Sequence, residues 1–536
     1  MDPLRLCVFA VKKKQATWRQ VLLFLFLYPA VTAYSQNSSP GGAADQPLRI
    51  EIPARSANET YRILPCGKSG AILFYRSLEG VGDNGVKWYF SCYDTNLRQS
   101  WVKGIPLVSD HDYRFHHQGK DTLALLFVHT GKTKGTENTF EILRIVLKSG
   151  TMILNKGVLE DNAVVVAFGI RKDRAWLGVN SAGRPGKIVN LSLKKGIVRT
   201  AALGYGDQIS VLWMSPDSSS HTATALVGRQ MSKKLTEYFL ATYDTAGAIR
   251  LELPVGKAAE GFTLTDARVV STENGGKLLL GCYGQDVSGS RKKNLPVEET
   301  TGLYAGASEM IHQQPLNLYN FLELQSAGSV IGEQDILNLK KKALKKKKPL
   351  SEYSLDYAVL LHDILEFNGQ YLLTAELFTP QYHTESFTDF DFYGRPFTNS
   401  YSVFDGYRFF SAILAGFDRQ GKLLWDNQIE IRNLLTFDLT PKVVLFPSGR
   451  DIVLCYISDG KIASKIIREN EVVEKLDFSM PDLLNPGDKL VSESKCAMVH
   501  WYGNYFLSFG YQEIKNLAIS SDKRFVYYFN KLRFDK

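Results

Sequence analysis

Short apolar strands joined by Asp-containing turns recur along most of the chain, and this repeat restricts the possible folds more than any other feature. Clear copies are "AGFDRQGKLLWDNQI", "ATYDTAGAIRLELPV" and "SCYDTNLRQSWVKGIPL". In each copy an apolar strand ends at Asp418, Asp244 or Asp94, whose carboxylate can accept the amide hydrogens of a turn. Gly421 and Gly247 can supply the positive φ that such turns favour. Each copy therefore predicts a β-hairpin.

The hairpins recur about every 45 to 60 residues, the period expected of four-stranded blades in a β-propeller. An apolar segment such as "DTLALLFVH" or "GRDIVLCYI" precedes each hairpin and predicts an inner strand buried on both faces. We therefore predict an all-β fold for residues 48–536, a β-propeller of seven or eight blades. Either "LRIEIP" near the N-terminus or "FVYYFNKLRF" near the C-terminus could complete a shared blade. Two β-sandwiches are the alternative. The units are expected to begin near Tyr61, Tyr113, Val164, Ile209, Phe262, Tyr357, Val443 and Ala497.

A lysine-rich segment, residues 325–356, interrupts the repeat. Ile336, Leu339, Ala343 and Leu344 have helical spacing, and Pro349 follows them, which predicts a helical insertion at a blade edge. Its lysines either keep an exposed helix soluble or contact an anionic partner such as acidic lipid or glycan. The lysines of this candidate contact are Lys340, Lys341, Lys342, Lys345, Lys346, Lys347 and Lys348.

A ring-rich, acidic segment, residues 380–410, connects the strands "YLLTAELF" and "FFSAILAGF". The connection is much longer than a usual hairpin turn, so we predict a long aromatic loop. One interpretation folds the loop onto the propeller face, because so many exposed rings would favour association. The other is a binding platform for sugars or peptides, in which rings stack and carboxylates accept hydrogen bonds. Its candidate ligand-binding residues are Asp389, Asp391, Tyr393, Arg395, Tyr401, Asp405 and Tyr407.

The N-terminus has the features of an export signal. Lysines and Arg19 precede the apolar run "VLLFLFLYPAVTA", and small residues such as Ala33 end it. We predict a cleaved signal in residues 1–36 and a polar linker in residues 37–47, which would place the protein in the periplasm, outside the cell or at its surface. A retained anchor is the alternative. No later run of apolar residues is long enough to predict a transmembrane helix.

Charge, cysteines and motifs exclude several functional classes. The formal net charge of +9 is concentrated in the signal and the lysine run, so a specific nucleic-acid surface is not predicted. Cysteines scattered through apolar runs are typical of buried thiols, with a Cys66–Cys92 bridge as the alternative. His111 and His117 could share one strand face, but the local set predicts turn chemistry and no metal site. Glu385 and Asp389 could in principle be an acid and base for glycoside cleavage. Their spacing in a loop, however, does not define the distance between the two carboxylates.

The segment "GFDRQGKLLWDN" resembles the strand, Asp-x-x-Gly turn and Trp-containing strand of quinoprotein-like (PQQ-type) propeller repeats. With its signal, the chain also resembles exported propeller-type proteins of Bacteroidota. The repeat pattern extends over most of Tyr61 to Phe534. Cofactor-dependent quinoproteins use a vicinal disulfide, and this sequence has no adjacent cysteines. The resemblance therefore implies a propeller fold, with no cofactor and no catalytic residue carried over.

The preferred hypothesis is a non-catalytic binding or assembly module at the bacterial cell envelope, whose partner is an envelope protein or a glycan. The alternative is a carbohydrate-active hydrolase or lyase with carboxylates at the propeller mouth, and a purely structural role is a third possibility. Catalytic acids would gather around the central axis, whereas a binding module would concentrate exposed rings on a rim or insertion.

Overall fold

Each sequence repeat folds into one antiparallel sheet. The computed structural model describes residues 45–534 except 56–59, 82–84, 130–137, 182, 203–208, 218–220, 233–234, 258–261, 274, 286–299, 309–315, 327–329, 331–332, 348–352 and 354–356. Within these residues the strands form eight antiparallel sheets, seven of consecutive strands and one that adds β1 to the last three strands. The predicted signal, nearly all of the linker, and Lys348 lie outside the described residues.

The first four sheets follow one another along the chain. Their strands are β2 (Arg62–Pro65), β3 (Ala71–Val81), β4 (Gly85–Tyr93) and β5 (Gln99–Val108); β6 (His111–Gln118), β7 (Thr122–His129), β8 (Asn138–Val146) and β9 (Thr151–Leu159); β10 (Ala163–Arg171), β11 (Arg174–Ser181), β12 (Arg184–Ser192) and β13 (Val198–Ala202); β14 (Ile209–Pro216), β15 (Thr222–Ser232), β16 (Leu235–Asp244) and β17 (Ile249–Lys257).

The other four sheets complete the fold, and the last of them combines both ends of the described chain. Their strands are β18 (Phe262–Ser271), β19 (Lys277–Gln285), β20 (Gly302–Ala307) and β21 (Asn317–Asn320); β22 (Ala358–Leu361), β23 (Leu365–Phe367), β24 (Gln370–Phe390), β25 (Pro396–Phe417) and β26 (Leu423–Thr436); β27 (Val444–Ser448), β28 (Asp451–Ser458), β29 (Lys461–Arg468) and β30 (Glu471–Ser479); β31 (Lys489–Tyr502), β32 (Tyr505–Lys515), β33 (Lys523–Arg533) and β1 (Asp45–Pro53).

These sheets are the blades of a β-propeller. First strands of neighbouring sheets contact each other, including β6 with β10, β10 with β14, β14 with β18, and β27 with β31. The contact between β31 and β2 joins the last sheet to the first. Propeller architecture is therefore confirmed, and the blade number is eight. Seven predicted blade starts lie within two residues of a first strand, whereas the eighth blade begins at Lys489 and not near Ala497.

The apolar segments expected as inner strands are the second strand of each sheet. In β28 every residue from Asp451 to Ser458 is buried, and β7 is buried from Leu123 to Val128. Second strands have a strand on each side and a neighbouring blade against each face, which explains their continuous apolar sequence. The first strands β2 and β27 are shorter than the second strands beside them and only partly buried.

The N-terminal strand completes the eighth blade. β1 pairs antiparallel with β33 from Leu48↔Lys531 to Pro53↔Val526. An ion-pair network reinforces this closure: Arg524 contacts Glu51 on β1 and Asp488 before β31. The Glu51 and Asp488 side chains are almost fully buried. Strand pairing and buried ion pairs therefore join the N-terminal strand β1 to the C-terminal strands of the eighth blade.

The Asp turns share one geometry. Asp94 Oδ1 accepts the backbone N–H groups of the second and fourth residues after it, at 2.8 Å each. Asp244 and Asp418 do the same at 2.8–2.9 Å and 2.9 Å. Gly247 and Gly421 have φ of 88° and 80°, and Leu97 adopts φ 56° at the matching position. The predicted hairpins are confirmed.

The lysine-rich insertion contains the predicted helix, α1 (Glu333–Lys346). Ile336 and Ala343 are buried, and Ile336 belongs to the apolar cluster between the fifth and sixth blades. Phe410 and Tyr357 pack against the same cluster. The helix is therefore anchored by one face beside the sixth blade.

Candidate functional site

The sixth blade carries a long two-stranded extension. β24 and β25 keep pairing beyond the blade, from Thr379↔Arg408 to Phe390↔Pro396. β22 pairs with β24 only as far as Phe378, and β26 pairs with β25 only as far as Tyr407. We call residues 379–408 the arm. The twelve residues of the first arm strand, 379–390, correspond to a length of about 40 Å.

The segment expected as a long loop is thus a two-stranded hairpin with a short tip and one register shift near its base. Asp391 Oδ1 accepts the N–H groups of Tyr393 and Arg395 at 2.9 and 2.8 Å, and Gly394 has φ 74°. This is the same Asp turn that joins strands in the blades. The pattern "DFYGR" has the spacing of "DRQGK" and could have revealed the hairpin. Gly406 lies within β25, beside the register shift between Gln381 and Tyr382.

The rings of the arm are exposed rather than folded onto the propeller. Phe392 is 98% exposed, Tyr393 80% and Phe390 62%. Phe404 and Tyr407 are the half-buried rings at the base, where Tyr407 meets Phe378 edge-on at 5.5 Å. The packing interpretation therefore holds at the base of the arm and fails at its tip, where no other part of the described chain covers the rings.

One face of the arm combines rings with ionisable groups. Cross-strand pairing sets His383 opposite Val403, Glu385 opposite Tyr401, Phe387 opposite Asn399, and Asp389 opposite Phe397. Directly paired side chains lie on the same side of a sheet. We call this side the acidic face, and it includes Asp405, which contacts His383. The opposite face is rich in hydroxyls, with the pairs Thr384↔Ser402, Ser386↔Ser400 and Thr388↔Thr398.

A hydrogen-bonded cluster lies at the centre of the acidic face. His383 Nδ1 is 2.5 Å from Asp405 Oδ1, and its Nε2 is 3.3 Å from Glu385 Oε1. The Tyr401 hydroxyl donates to Glu385 Oε2. The two carboxylates can only accept when ionised, so this arrangement favours the imidazolium form with both ring nitrogens protonated. The cluster forms although all four side chains are at least partly exposed.

The same contacts shift the protonation equilibria. Hydrogen bonds to Asp405 and then Glu385 raise the pKa of His383 above its ordinary value. The hydrogen bond from Tyr401, followed by that from His383, lowers the pKa of Glu385. At neutral pH the acidic face therefore displays a carboxylate at Glu385, and His383 keeps its proton to a higher pH than an isolated imidazole.

The predicted ligand-binding residues have different local roles. Asp391 holds the tip turn through Oδ1, and Asp389 Oδ1 accepts the N–H of Phe390 at 2.9 Å. The Arg395 guanidinium lies 5.8 Å from the centre of the Tyr393 ring. Tyr401 and Asp405 belong to the hydrogen-bonded cluster, while Tyr407 packs at the base. His383 was not predicted, and its signal is the alternation in "HTE", which sets His383 and Glu385 on one strand face.

The lysines of α1 are all exposed. They are Lys340, Lys341, Lys342, Lys345 and Lys346, and the exposed Lys347 directly follows the helix. Two leucines of the helix are exposed as well, Leu344 by 79% and Leu337 by 49%. Leu337, Lys341, Leu344 and Lys345 follow i, i+4, i+7, i+8 spacing and form one stripe opposite the buried Ile336 and Ala343. The outer side of α1 is therefore both cationic and apolar.

The histidines near residue 111 do not converge as expected. A bulge between Tyr113 and Phe115 changes the strand register, so His116 lies on the His111 side and His117 on the other. The buried His111 hydrogen-bonds to Glu141 at 2.9 Å and to Thr139 at 2.8 Å. Among residues 45–534 with the gaps given above, no group of three or more His, Cys, Asp or Glu could hold a metal ion.

The described cysteines are free thiols packed in the interior. In the described chain Cys66, Cys92, Cys282 and Cys455 are buried free thiols and Cys496 is half-buried, so Cys66 and Cys92 form no bridge. Burial raises the pKa of Cys66 to about 12 and of Cys92 to about 11, which keeps both thiols protonated. No helix of the described residues is long and apolar enough to span a bilayer.

A small cleft lies in the fourth blade, away from the arm. Ile209, Phe239 and Tyr243 line it together with Arg229 and Glu252. Arg229 and Glu252 form an ion pair of 3.7 Å. The lining is mostly apolar and comes from one blade. None of the arm carboxylates lines this cleft.

No protein-family model and no curated protein matches the chain. Among solved structures it is similar to the polysaccharide lyase Uly1, with 11% identity and a TM-score of 0.36 over 78% of this chain and 89% of that one. It is also similar to the periplasmic gluconolactonase PpgL of Pseudomonas aeruginosa, with 13% identity and a TM-score of 0.32 over 78% and 99%. A prolyl endopeptidase matches with 9% identity and a TM-score of 0.35 over 85% of this chain and 54% of that one. These similarities concern the fold alone.

Proposed function

We propose that this chain is an exported, non-catalytic β-propeller that binds or assembles with a partner at the bacterial cell envelope through its arm. The observation that carries the proposal is the acidic face with the exposed rings of the arm tip. A two-stranded hairpin is at best marginally stable in water on its own. An arm that also exposes several rings gains stability when a partner covers it.

The chemistry of the arm suits a glycan or a protein surface. Rings such as Phe387 and Phe392 offer flat apolar area, and Glu385, Asp389 and Asp405 offer acceptors beside them. Sugars present both apolar ring faces and hydroxyl donors, and peptides present apolar side chains and amide or cationic donors. The carboxylates lie along a hairpin that leaves one blade, which favours a binding module over an enzyme with acids gathered at the central axis.

The lysine side of α1 supplies a second contact, directed at an anionic partner. Its exposed lysines lie within one short helix, so their charges add at close range. Attraction of this kind weakens with salt, because the Debye length falls to about 3 Å at 1 M ionic strength. Export through residues 1–36 would bring both contacts to the envelope, and N-terminal sequencing of the periplasmic protein should give a start near residue 37.

The proposal is tested by binding of residues 37–536 to a glycan array and by pull-down from envelope extracts. The test variant is Phe392→Ser with Tyr393→Ser, and the matched control is Leu517→Ser with Ile519→Ser, which removes exposed apolar area elsewhere. We expect at least a tenfold weaker interaction for the test variant, an unchanged control, and the same melting temperature for all three. Equal binding by the test variant and the wild type would refute the role of the arm. Turnover of a bound glycan would favour the carbohydrate-active enzyme instead.

A further inference from the structure

We infer that two copies of this chain pair face to face about a two-fold axis, with the acidic face of each arm on α1 of the other copy. The inference rests on the proposed role of the arm as a contact surface, and it names one occupant of that surface. Four observations support it: a shared side of the propeller, opposite charge, matching apolar area, and exposure of both surfaces in the single chain.

The arm and α1 leave the same side of the propeller. Strands within each sheet alternate in direction, so a second strand and a fourth strand end on the same side. The arm connects the second and third strands of the sixth blade, β24 and β25. The insertion with α1 follows β21, the fourth strand of the fifth blade. Phe410 at the base of the arm packs on the cluster that contains Ile336 of α1, so the two features are also neighbours.

The two surfaces are complementary in charge. The acidic face carries Glu385, Asp389 and Asp405, with His383 as its cationic group. The stripe of α1 opposite its buried side carries Lys341 and Lys345, and Lys340 lies at its edge. Opposite patches of this kind steer association and fix its orientation. The ammonium groups can also lie over the faces of exposed rings, a contact that Lys342 already makes with Tyr353 at 6.0 Å.

The two surfaces are also complementary in apolar area. Leu337 and Leu344 lie between the lysines of α1 and are exposed by 49% and 79%. Phe387, Phe397 and Tyr401 lie between the carboxylates of the acidic face and are about half exposed. Apolar area surrounded by charged groups is the usual organisation of a protein interface. The acidic face and the outer side of α1 are therefore opposite in charge and both contain exposed apolar side chains.

A second copy fits these observations better than contact within one chain. The rings of the acidic face and the lysines of α1 are exposed in the single chain, so they do not cover each other there. A surface that contains both complementary parts is self-complementary under a two-fold rotation. The rotation would bring arm to helix twice and would close the assembly at two copies.

Charge exchange between copies tests the pairing. The arm variant is Glu385→Lys with Asp389→Lys, and the helix variant is Lys341→Glu with Lys345→Glu. In each variant the facing surfaces carry like charge, so we expect a monomer, with at least a tenfold rise in the dissociation constant. An equimolar mixture restores both arm-to-helix contacts and should recover the dimer mass. The control is Lys194→Glu with Lys195→Glu, exposed residues in a turn on the opposite side, and it should remain a dimer.

The readout is the molecular mass by sedimentation velocity at low salt and at 1 M salt, with circular dichroism to verify folding. We expect a wild-type dimer that weakens at high salt. A monomeric wild type, a dimer that survives in either single variant, or a mixture that stays monomeric would each overturn the pairing. These outcomes are separate from the proposed function, because ligand binding by the arm is measured on its own. Lost pairing with retained ligand binding leaves the proposed function standing.

Discussion

At the scale of single residues, one carboxylate in each turn does the same structural work in different blades. Asp94, Asp244, Asp391 and Asp418 each accept two backbone N–H groups through Oδ1. The second and fourth N–H groups of the turn would otherwise face solvent or remain unpaired. This explains why the third strand of several blades ends at an Asp, whichever blade it belongs to. The same device closes the tip of the arm, where no core supports it.

Replacing the turn carboxylate should destabilise the blade. Asp418→Ala removes two hydrogen bonds to a charged acceptor, and we expect the free energy of unfolding to fall by about 1–2 kcal/mol. Arg419→Ala in the same turn alters an exposed side chain and should change it by less than about 0.5 kcal/mol. Urea denaturation of both variants measures the difference. An equal effect of the two changes would show that the carboxylate does not hold the turn.

At the scale of elements, the arm has a packed base and an exposed outer part. Tyr407 contacts Phe378 and Phe404, and Phe404 contacts Phe437 after β26. These contacts fix the direction in which the hairpin leaves the blade. Tyr401, six residues further out, contacts only arm residues among the interactions described, Glu385 and Phe387. Stability and recognition are therefore assigned to different rings of one hairpin.

Two Tyr→Ala changes should separate these roles. Tyr407→Ala removes a half-buried ring at the base, and we expect a loss of about 2 kcal/mol in the free energy of unfolding. Tyr401→Ala should change it by less than about 0.5 kcal/mol, because the ring is half exposed on the arm. Thermal denaturation of both variants checks the prediction. If Tyr401→Ala proved as destabilising as Tyr407→Ala, the outer arm would have to be packed in solution.

The elements differ in how far the sequence determines them. The blades were predictable, because each needs one fully apolar strand and a turn, which produces a visible period. The arm was not recognised as a hairpin, since its rings alternate with carboxylates and hydroxyls and neither side shows a continuous apolar stripe. The contact of His383 with Asp405 joins residues on opposite strands, so it depends on a pairing that the sequence left unspecified. A one-residue register change would have moved either side chain to the other face.

At the scale of the whole molecule, buried charge closes the eighth blade. Burial acts to raise the pKa of Asp488, but hydrogen bonds from Arg524, Asn516 and the Asn485 N–H outweigh it, so the pKa is held well below its usual range. Arg524 reaches Glu51 from the same position. Because the folded pKa of Asp488 is lowered, its contribution to stability is present above the unfolded value of about 3.9 and is lost as the pH falls below it.

Replacing Arg524 should reveal how much its buried ion pairs contribute to the free energy of unfolding. Arg524→Met leaves the buried Asp488 without its arginine, whereas Glu51 keeps its pair with Arg49. We expect a loss of about 3 kcal/mol at neutral pH. The difference from the wild type should shrink below about pH 4, where the unfolded Asp488 carboxyl becomes protonated. Arg432→Met removes an exposed pair with Glu430 and should cost less than about 1 kcal/mol. A pH-independent difference for Arg524→Met would contradict the assignment.

The pairing of β1 with β33 also sets an order of events during synthesis. β1, the first strand of the described residues, finds its permanent neighbour only after residue 533 has been made. Until β33 is made, β1 has no strand to pair with in the eighth blade. Contacts between such distant residues slow folding. A nascent chain interrupted before β33 should therefore leave β1 unpaired beside an incomplete eighth blade, and limited proteolysis should cleave it there.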